Sequence, residues 1–199
     1  MPGKEGSFMK FTAKLPENYK EILAVDLQKN KRLALLVNGL ALIISAVMVI
    51  IGLIISPLSE LYSAGPKILI NLPVMLLGLP LYLVLHELVH GIFMYSYSRV
   101  KPRYGFTGMY AFAGSDGYFA KLPYIIIALA PVVIWGVVLL ILNIVLPPYL
   151  FWGVYMIQIT NVSGAAGDAY VTAKFSRLPG SILVRDTGVA MTVYAPEEG

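Results

Sequence analysis

Between Arg32 and Glu60 the chain carries no charged residue, and between Lys121 and Asp168 it again carries none. Between Lys67 and Arg99 the only ionisable side chains, tyrosines apart, are His86, Glu87 and His90. Uncharged apolar runs of this length match the hydrocarbon thickness of a bilayer, which takes about 20 helical residues to cross. Only 13% of the residues are charged, against about 25% in an ordinary soluble domain. The pattern predicts an all-α membrane protein with four transmembrane helices, over 33–55, 68–98, 122–145 and 149–172. Pro73 and Pro80 fall inside the second, where neighbouring helices must satisfy the freed carbonyls. Pro147-Pro148 separate the third from the fourth.

Polar segments flank these runs. Residues 1–8 read as a leader or an added sequence, with Met9-Lys10-Phe11 serving as a natural start. Residues 16–28 read as a short helix with Tyr19, Ile22, Leu23 and Leu27 near one face, lying on the membrane surface or capping the bundle. Residues 181–184 and 189–194 flank an Asp186-Thr187-Gly188 turn signal and predict a β-hairpin, with the last four residues frayed. The chain thus divides into an N-terminal segment 1–32 with an interfacial helix, a four-helix unit 33–177 and a tail 178–199. Fourteen of the fifteen basic residues lie before the first span, in the connector 99–121 or after the fourth span, and only Lys67 lies elsewhere. Basic residues concentrate on the cytoplasmic side, so both termini are expected there, in a multi-pass protein of the lipid bilayer. A net charge of +4 placed this way does not point to nucleic acid. The absence of Cys removes disulfides and thiolate ligands.

His86-Glu87-Leu88-Val89-His90 has the form H-E-x-x-H, and these two histidines are the only ones in the chain. Residues four apart share a helix face, so His86 and His90 can reach one Zn²⁺. Glu87, rotated about 100° from His86, can approach a metal-bound water without ligating the metal. A catalytic zinc needs a third protein ligand, and Asp168 is the one remaining carboxylate inside a predicted span. Depth gives a separate check: His86 lies 19 residues past Lys67 and Asp168 lies 19 past Tyr149. At 1.5 Å per residue both sit about 28 Å from the outer surface, towards the cytoplasmic side. The competing reading makes the histidines hydrogen-bonded core residues and pairs Asp168 with a backbone amide or Lys174.

Asn161, Gly164, Ala165 and Asp168 fall on one helical face. Gly164 and Gly167 read as small residues for close helix packing. Asn161 is a candidate to hydrogen-bond substrate or a developing oxyanion, with an interhelical hydrogen bond as the alternative. The connector alternates Tyr104, Phe106, Tyr110 and Phe112 with glycines. It reads either as a hairpin beside the site, whose edge could pair with an extended peptide, or as an aromatic anchor at the interface. Asp116, in Gly-Ser-Asp-Gly, reads as a turn residue rather than a ligand.

A histidine pair of this form on one span, followed by an aspartate near the end of a later span, resembles the site-2 protease group of intramembrane zinc metalloproteases. There the aspartate lies in an Asn-Pro-x-x-x-x-Leu-Asp-Gly-like segment. Asn161 and Asp168 match its polar ends at the same separation, while Val162 stands in place of the proline and Gly-Asp-Ala in place of Leu-Asp-Gly. Over residues 15–190 the chain is also similar to small bacterial and archaeal membrane proteins grouped as zincin peptidases. They share H-E-x-x-H-G, a Tyr/Phe-rich connector and an Asn…Gly-Asp end. The resemblance implies a membrane-embedded zinc metalloendopeptidase in a prokaryotic cell membrane, acting on membrane-anchored polypeptides. Zn²⁺ would be held by His86, His90 and Asp168, with Glu87 as general base. A catalytically silent zinc-binding scaffold or chaperone, and a metal-handling channel, are the alternatives.

Overall fold

The computed structural model describes residues 10–63, 65–108 and 110–197. The leader reading of 1–8, the start at Met9 and the last two residues of the frayed end lie outside them. The chain begins with β1 (Phe11–Thr12) and β2 (Tyr19–Asp26), then enters the long helix α1 (Lys31–Ile55). Asn30 starts α1 by accepting the Leu33 N–H on its side chain, as an N-cap does. After the short α2 (Leu58–Ser63) and a 3₁₀ turn over Gly65–Ile70 comes α3 (Asn71–Ser98), which ends where Arg99 adopts a left-handed conformation. The connector folds as β3 (Arg103–Phe106) and β4 (Ala111–Gly114), and leads through β5 (Tyr118–Ala120) into α4 (Lys121–Val145). A 3₁₀ turn over Pro148–Leu150 opens α5 (Phe151–Gly164), followed by α6 (Ala166–Ser176), β6 (Leu183–Asp186) and β7 (Ala190–Pro196).

Among the described residues, three helical stretches are long and apolar enough to cross a membrane: Lys31–Ile55, Gly65–Ser98 and Lys121–Val145. The fourth apolar run is not one continuous helix. It breaks at Ala165, so α5 and α6 are separate pieces. Short α5 packs against α1, α3 and α4. Being enclosed by them, it buries polar Asn161 and Ser163 that a lipid-facing helix could not carry cheaply.

The fold is mostly helical but not all-α. Five antiparallel strands form a sheet in the order β1-β5-β6-β7-β2. The tail hairpin is present as β6–β7. The interfacial helix over 16–28 is not: Tyr19–Asp26 is an edge strand paired along β7, from Tyr19 opposite Pro196 to Asp26 opposite Ala190. Val25 is buried and Leu23 half-buried while Ile22 and Ala24 are exposed, which is alternation with period two. A bulge between Glu21 and Leu23 shifts the register and blurs that alternation in sequence. Val25, Phe119, Val184 and Val193 of the sheet share one core with Met94, Tyr124 and Phe175 of the helices. The sheet is therefore seated on the ends of α3, α4 and α6. Lys121 ties α4 to the end of α6 by donating to the carbonyls of Ser176 and Leu178.

At the opposite end, Asn71 joins the first turns of α3 and α5. Its Oδ1 accepts the Gly153 N–H at 2.7 Å and its Nδ2 donates to the carbonyls of Tyr149 and Ile68. Gly153 has no room for a Cβ beside Asn71 and Val74, so the two helices touch there.

Candidate metal centre

Helix α3 runs unbroken from Asn71, so His86 and His90 stand one turn apart on one face, their ring centroids 5.0 Å apart. Asp168 comes from the first turn of α6. The break at Ala165 creates this helix start, and the partial positive charge of a helix N-terminus favours a carboxylate there. Asp168 Oδ2 lies 3.8 Å from Nε2 of His86 and 3.8 Å from Nε2 of His90. Ligand atoms of all three residues lie within 4.8 Å of one another. The level at which they meet follows from the Asn71–Gly153 junction, since His86 lies 15 residues past Asn71 and Asp168 lies 15 past Gly153.

The hydrogen bonds around the rings settle which nitrogens are free. His90 Nδ1 is 2.9 Å from the Ile127 carbonyl, which can only accept, so Nδ1 carries the proton. Asn161 donates through Nδ2 to the Val132 carbonyl at 3.1 Å, which orients its amide and turns Oδ1 to the Tyr82 hydroxyl at 3.0 Å. Tyr82 spends its one proton on that oxygen, so it accepts from His86 Nδ1 at 2.8 Å. In the neutral rings Nε2 is therefore the bare nitrogen, and in both it is turned towards Asp168. Two bare imidazole nitrogens and one carboxylate oxygen suit zinc. Separations of 3.8 Å are too long for hydrogen bonds and close to the about 3.4 Å between ligands of a tetrahedral ion with bonds of about 2.1 Å. The donor set fits.

Glu87 is half-buried, about 100° round the helix from His86. It lines a cavity of about 230 Å³ that also holds His86, His90, Asp168, Tyr124 and Asp186. The backbone amide of Ala113 on β4 is directed at its carboxylate. The hairpin β3–β4 packs on α3 beside the site.

Asn161 is fully buried with both ends of its amide engaged, the interhelical hydrogen bond that was the alternative to a contact with substrate, and it supports His86 through Tyr82. One sequence assignment needs correction. Gly164 and Gly167 do not mediate close packing: a Cβ at either would meet nothing within 4 Å, and both line the cavity. Asp116 lies in the bend between β4 and β5, exposed and paired with Arg103 at 2.7 Å and Arg185 at 3.2 Å, in keeping with its reading as a turn residue rather than a ligand.

Two contributors went unnoticed in the sequence. Tyr82 sits four residues before His86, a spacing that marks it as a neighbour on the same face. Asp186 occupies the predicted turn, and nothing local signals that the turn reaches the cavity wall. It is buried, accepting from Tyr124 Oη at 2.8 Å and from the Gly188 N–H at 2.8 Å. Burial pushes its carboxyl above the usual range, although both hydrogen bonds oppose the shift. Tyr104 on β3 is raised as well, first by partial burial and then by the charge of Glu87.

Residues 79–183, more than half of the chain and including Glu87 and all three candidate ligands, match the family described as "Putative zincin peptidase", and the chain belongs to that family. No curated protein and no solved structure matches it. Membership in a zinc-peptidase family agrees with the donor set.

Proposed function

We propose that the protein is a membrane-embedded zinc metalloendopeptidase, site-2-protease-like in its use of the bilayer, that cleaves membrane-anchored polypeptides towards the cytoplasmic face. The observation that carries this reading is Asp168 Oδ2 standing equidistant, at 3.8 Å, from Nε2 of His86 and Nε2 of His90. His86, His90 and Asp168 would hold Zn²⁺. When bound, the ion supplies Lewis acidity, polarising a carbonyl and making water acidic near neutral pH. Glu87, in the cavity but outside the ligand triad, takes the proton from the attacking water and returns one to the leaving amine. Tyr82 and Asn161 hold His86 in the required tautomer, and the Ile127 carbonyl does the same for His90.

In this reading α5–α6 completes a four-pass unit with both termini, and hence the five-stranded sheet, in the cytoplasm. The charge distribution supports that orientation. The substrate must be locally unwound, because an intact helix hides its carbonyls in hydrogen bonds. The free edge of β4, next to Glu87, is where an extended peptide would pair. The test is Glu87→Gln in proteoliposomes with a membrane-anchored peptide. Cleavage should fall by about 10²–10⁴-fold while bound zinc is unchanged. Unchanged cleavage contradicts the role of Glu87, and no cleavage by the wild type on any such peptide contradicts the enzymatic reading in favour of a silent zinc-binding scaffold.

A further inference from the structure

A second cavity, of about 640 Å³, lies between α3 and the hairpin on the outer face of the helix. Val84, Leu88, Tyr104 and Phe106 form its walls together with Phe112. Val84, Glu87, Leu88 and Gly91 are spaced i, i+3, i+4 and i+7, so they form one stripe of α3 facing the hairpin. His86 and His90 point from another face into the bundle. Glu87 is the residue of this stripe that lines both cavities, and Ala111 and Phe112 of the hairpin line both as well, so the groove adjoins the metal-site cavity.

The groove is not a featureless lipid-facing crevice. Two of its lining residues, Glu87 and Tyr104, carry polar groups. One is the Glu87 carboxylate, an acceptor. The other is the Tyr104 hydroxyl, which lies against Gly91, where a Cβ would collide with it. This hydroxyl has no hydrogen-bond partner among the described residues, and the Tyr104 side chain is half-exposed. An acyl chain has no use for a donor and an acceptor at its tip. A peptide does, since each residue presents one N–H and one C=O next to its side chain. Apolar walls with a few convergent polar groups are the usual composition of a specificity pocket.

We infer that the groove between α3 and the β3–β4 hairpin is a substrate subsite. It takes one large aliphatic or aromatic side chain of a membrane-inserted polypeptide beside the bond to be cut, and it is entered laterally from the bilayer. Val84, Leu88 and Phe106 set the size of the residue accepted, and the Tyr104 hydroxyl donates to the adjacent backbone carbonyl. This rests on the proposed peptidase reading for its cleavage arm but not for its binding arm.

The chain lacks cysteine, so single introduced cysteines report cleanly. In proteoliposomes, the full-length Leu88→Cys and Phe106→Cys variants are mixed with a synthetic single-span peptide and diamide as the oxidant. The peptide carries one cysteine beside a varied residue (Ala, Leu or Phe) near its cytoplasmic end. Leu77→Cys, on the lipid-exposed surface of the same helix, is the control. The expected result is disulfide formation at positions 88 and 106, faster with Leu or Phe than with Ala. It should be suppressed by a cysteine-free Phe peptide and absent at position 77. Equal reaction at all three positions, or no suppression by the competitor, means an acyl-chain crevice only and overturns the proposal. In the cleavage arm, Val84→Trp should abolish a preference for Phe over Ala of roughly tenfold or more with bound zinc retained. Tyr104→Phe should lower kcat/KM on all three peptides with zinc retained. Unchanged selectivity in Val84→Trp overturns the subsite. If the wild type cleaves none of the peptides, the peptidase reading fails, and the disulfide arm alone decides the groove.

Discussion

At His86 one proton decides whether the site can hold a metal. The Asn161 amide, fixed by the Val132 carbonyl, takes the Tyr82 proton and so obliges His86 to keep its own on Nδ1. Tyr82→Phe removes the acceptor and leaves that N–H without a partner in a buried setting. Zinc affinity, measured by chelator competition, should fall about 10–100-fold, the usual cost of losing such an outer partner. Asn161→Leu should do the same, and the double variant should lose little more than either alone, because the residues act as one relay. Additive losses would contradict the relay. Asp186 permits a test by pH. Its folded-state pKa is raised, so its contribution to stability is fullest below the unfolded value of about 4 and is lost as pH rises through the folded value. Asp186→Asn, whose amide can still meet Tyr124 and the Gly188 N–H, should therefore unfold at a higher temperature than the wild type at neutral pH. The difference should shrink as pH is lowered towards 4; a pH-independent difference would refute the assignment. His86, Glu87 and His90 were legible because a helical motif needs only local spacing. The role of Asn161 was not, because it depends on a tyrosine 79 residues away.

Among the elements, the pairing of α3 with α5 sets the geometry. Asn71 bonds the first turns of both helices, and the two candidate ligands lie equal numbers of residues beyond that junction. The equal-depth argument from sequence rested on Lys67 and Tyr149, and the structure supplies a physical anchor close to each. Asn71→Ala should cost about 1–2 kcal/mol, given interhelical hydrogen bonds of about 0.6 kcal/mol on average in membranes, and should also loosen zinc binding. Full zinc retention in a destabilised variant would show that the junction stabilises the bundle without setting the register of the site. The long apolar helices α1, α3 and α4 were readable from composition alone, since lipid demands unbroken apolar runs. Strand β2 was not, because its partner β7 lies some 170 residues away, and no local pattern encodes such a pairing. The break at Ala165 escaped for a related reason: the Gly-Ala-Ala-Gly stretch is compatible with a continuous helix, and the cavity beside it is a property of the assembled bundle.

Across the whole molecule, a helical bundle carries the histidines and a sheet built from both ends of the chain seals one side of the site. Tyr110 to Ala113 of the hairpin and Gly188 to Met191 of the tail border the same cavity as the candidate ligands. The hairpin and tail turn meet tightly, with Gly114 against Thr187 and Gly188 against Phe112, and neither contact leaves space for a Cβ. Residues far apart in sequence thus line the cavity that Glu87 borders. The central claim remains that α3 and α6 together hold one divalent ion. The most direct measurement is zinc stoichiometry and K-edge absorption on purified wild type, His86→Ala and Asp168→Ala. One zinc per chain with a nitrogen and oxygen shell at about 2.0–2.2 Å, lost in both variants, is the expected result. A wild type without zinc, or an Asp168→Ala protein with unaltered zinc content and coordination shell, would contradict the account.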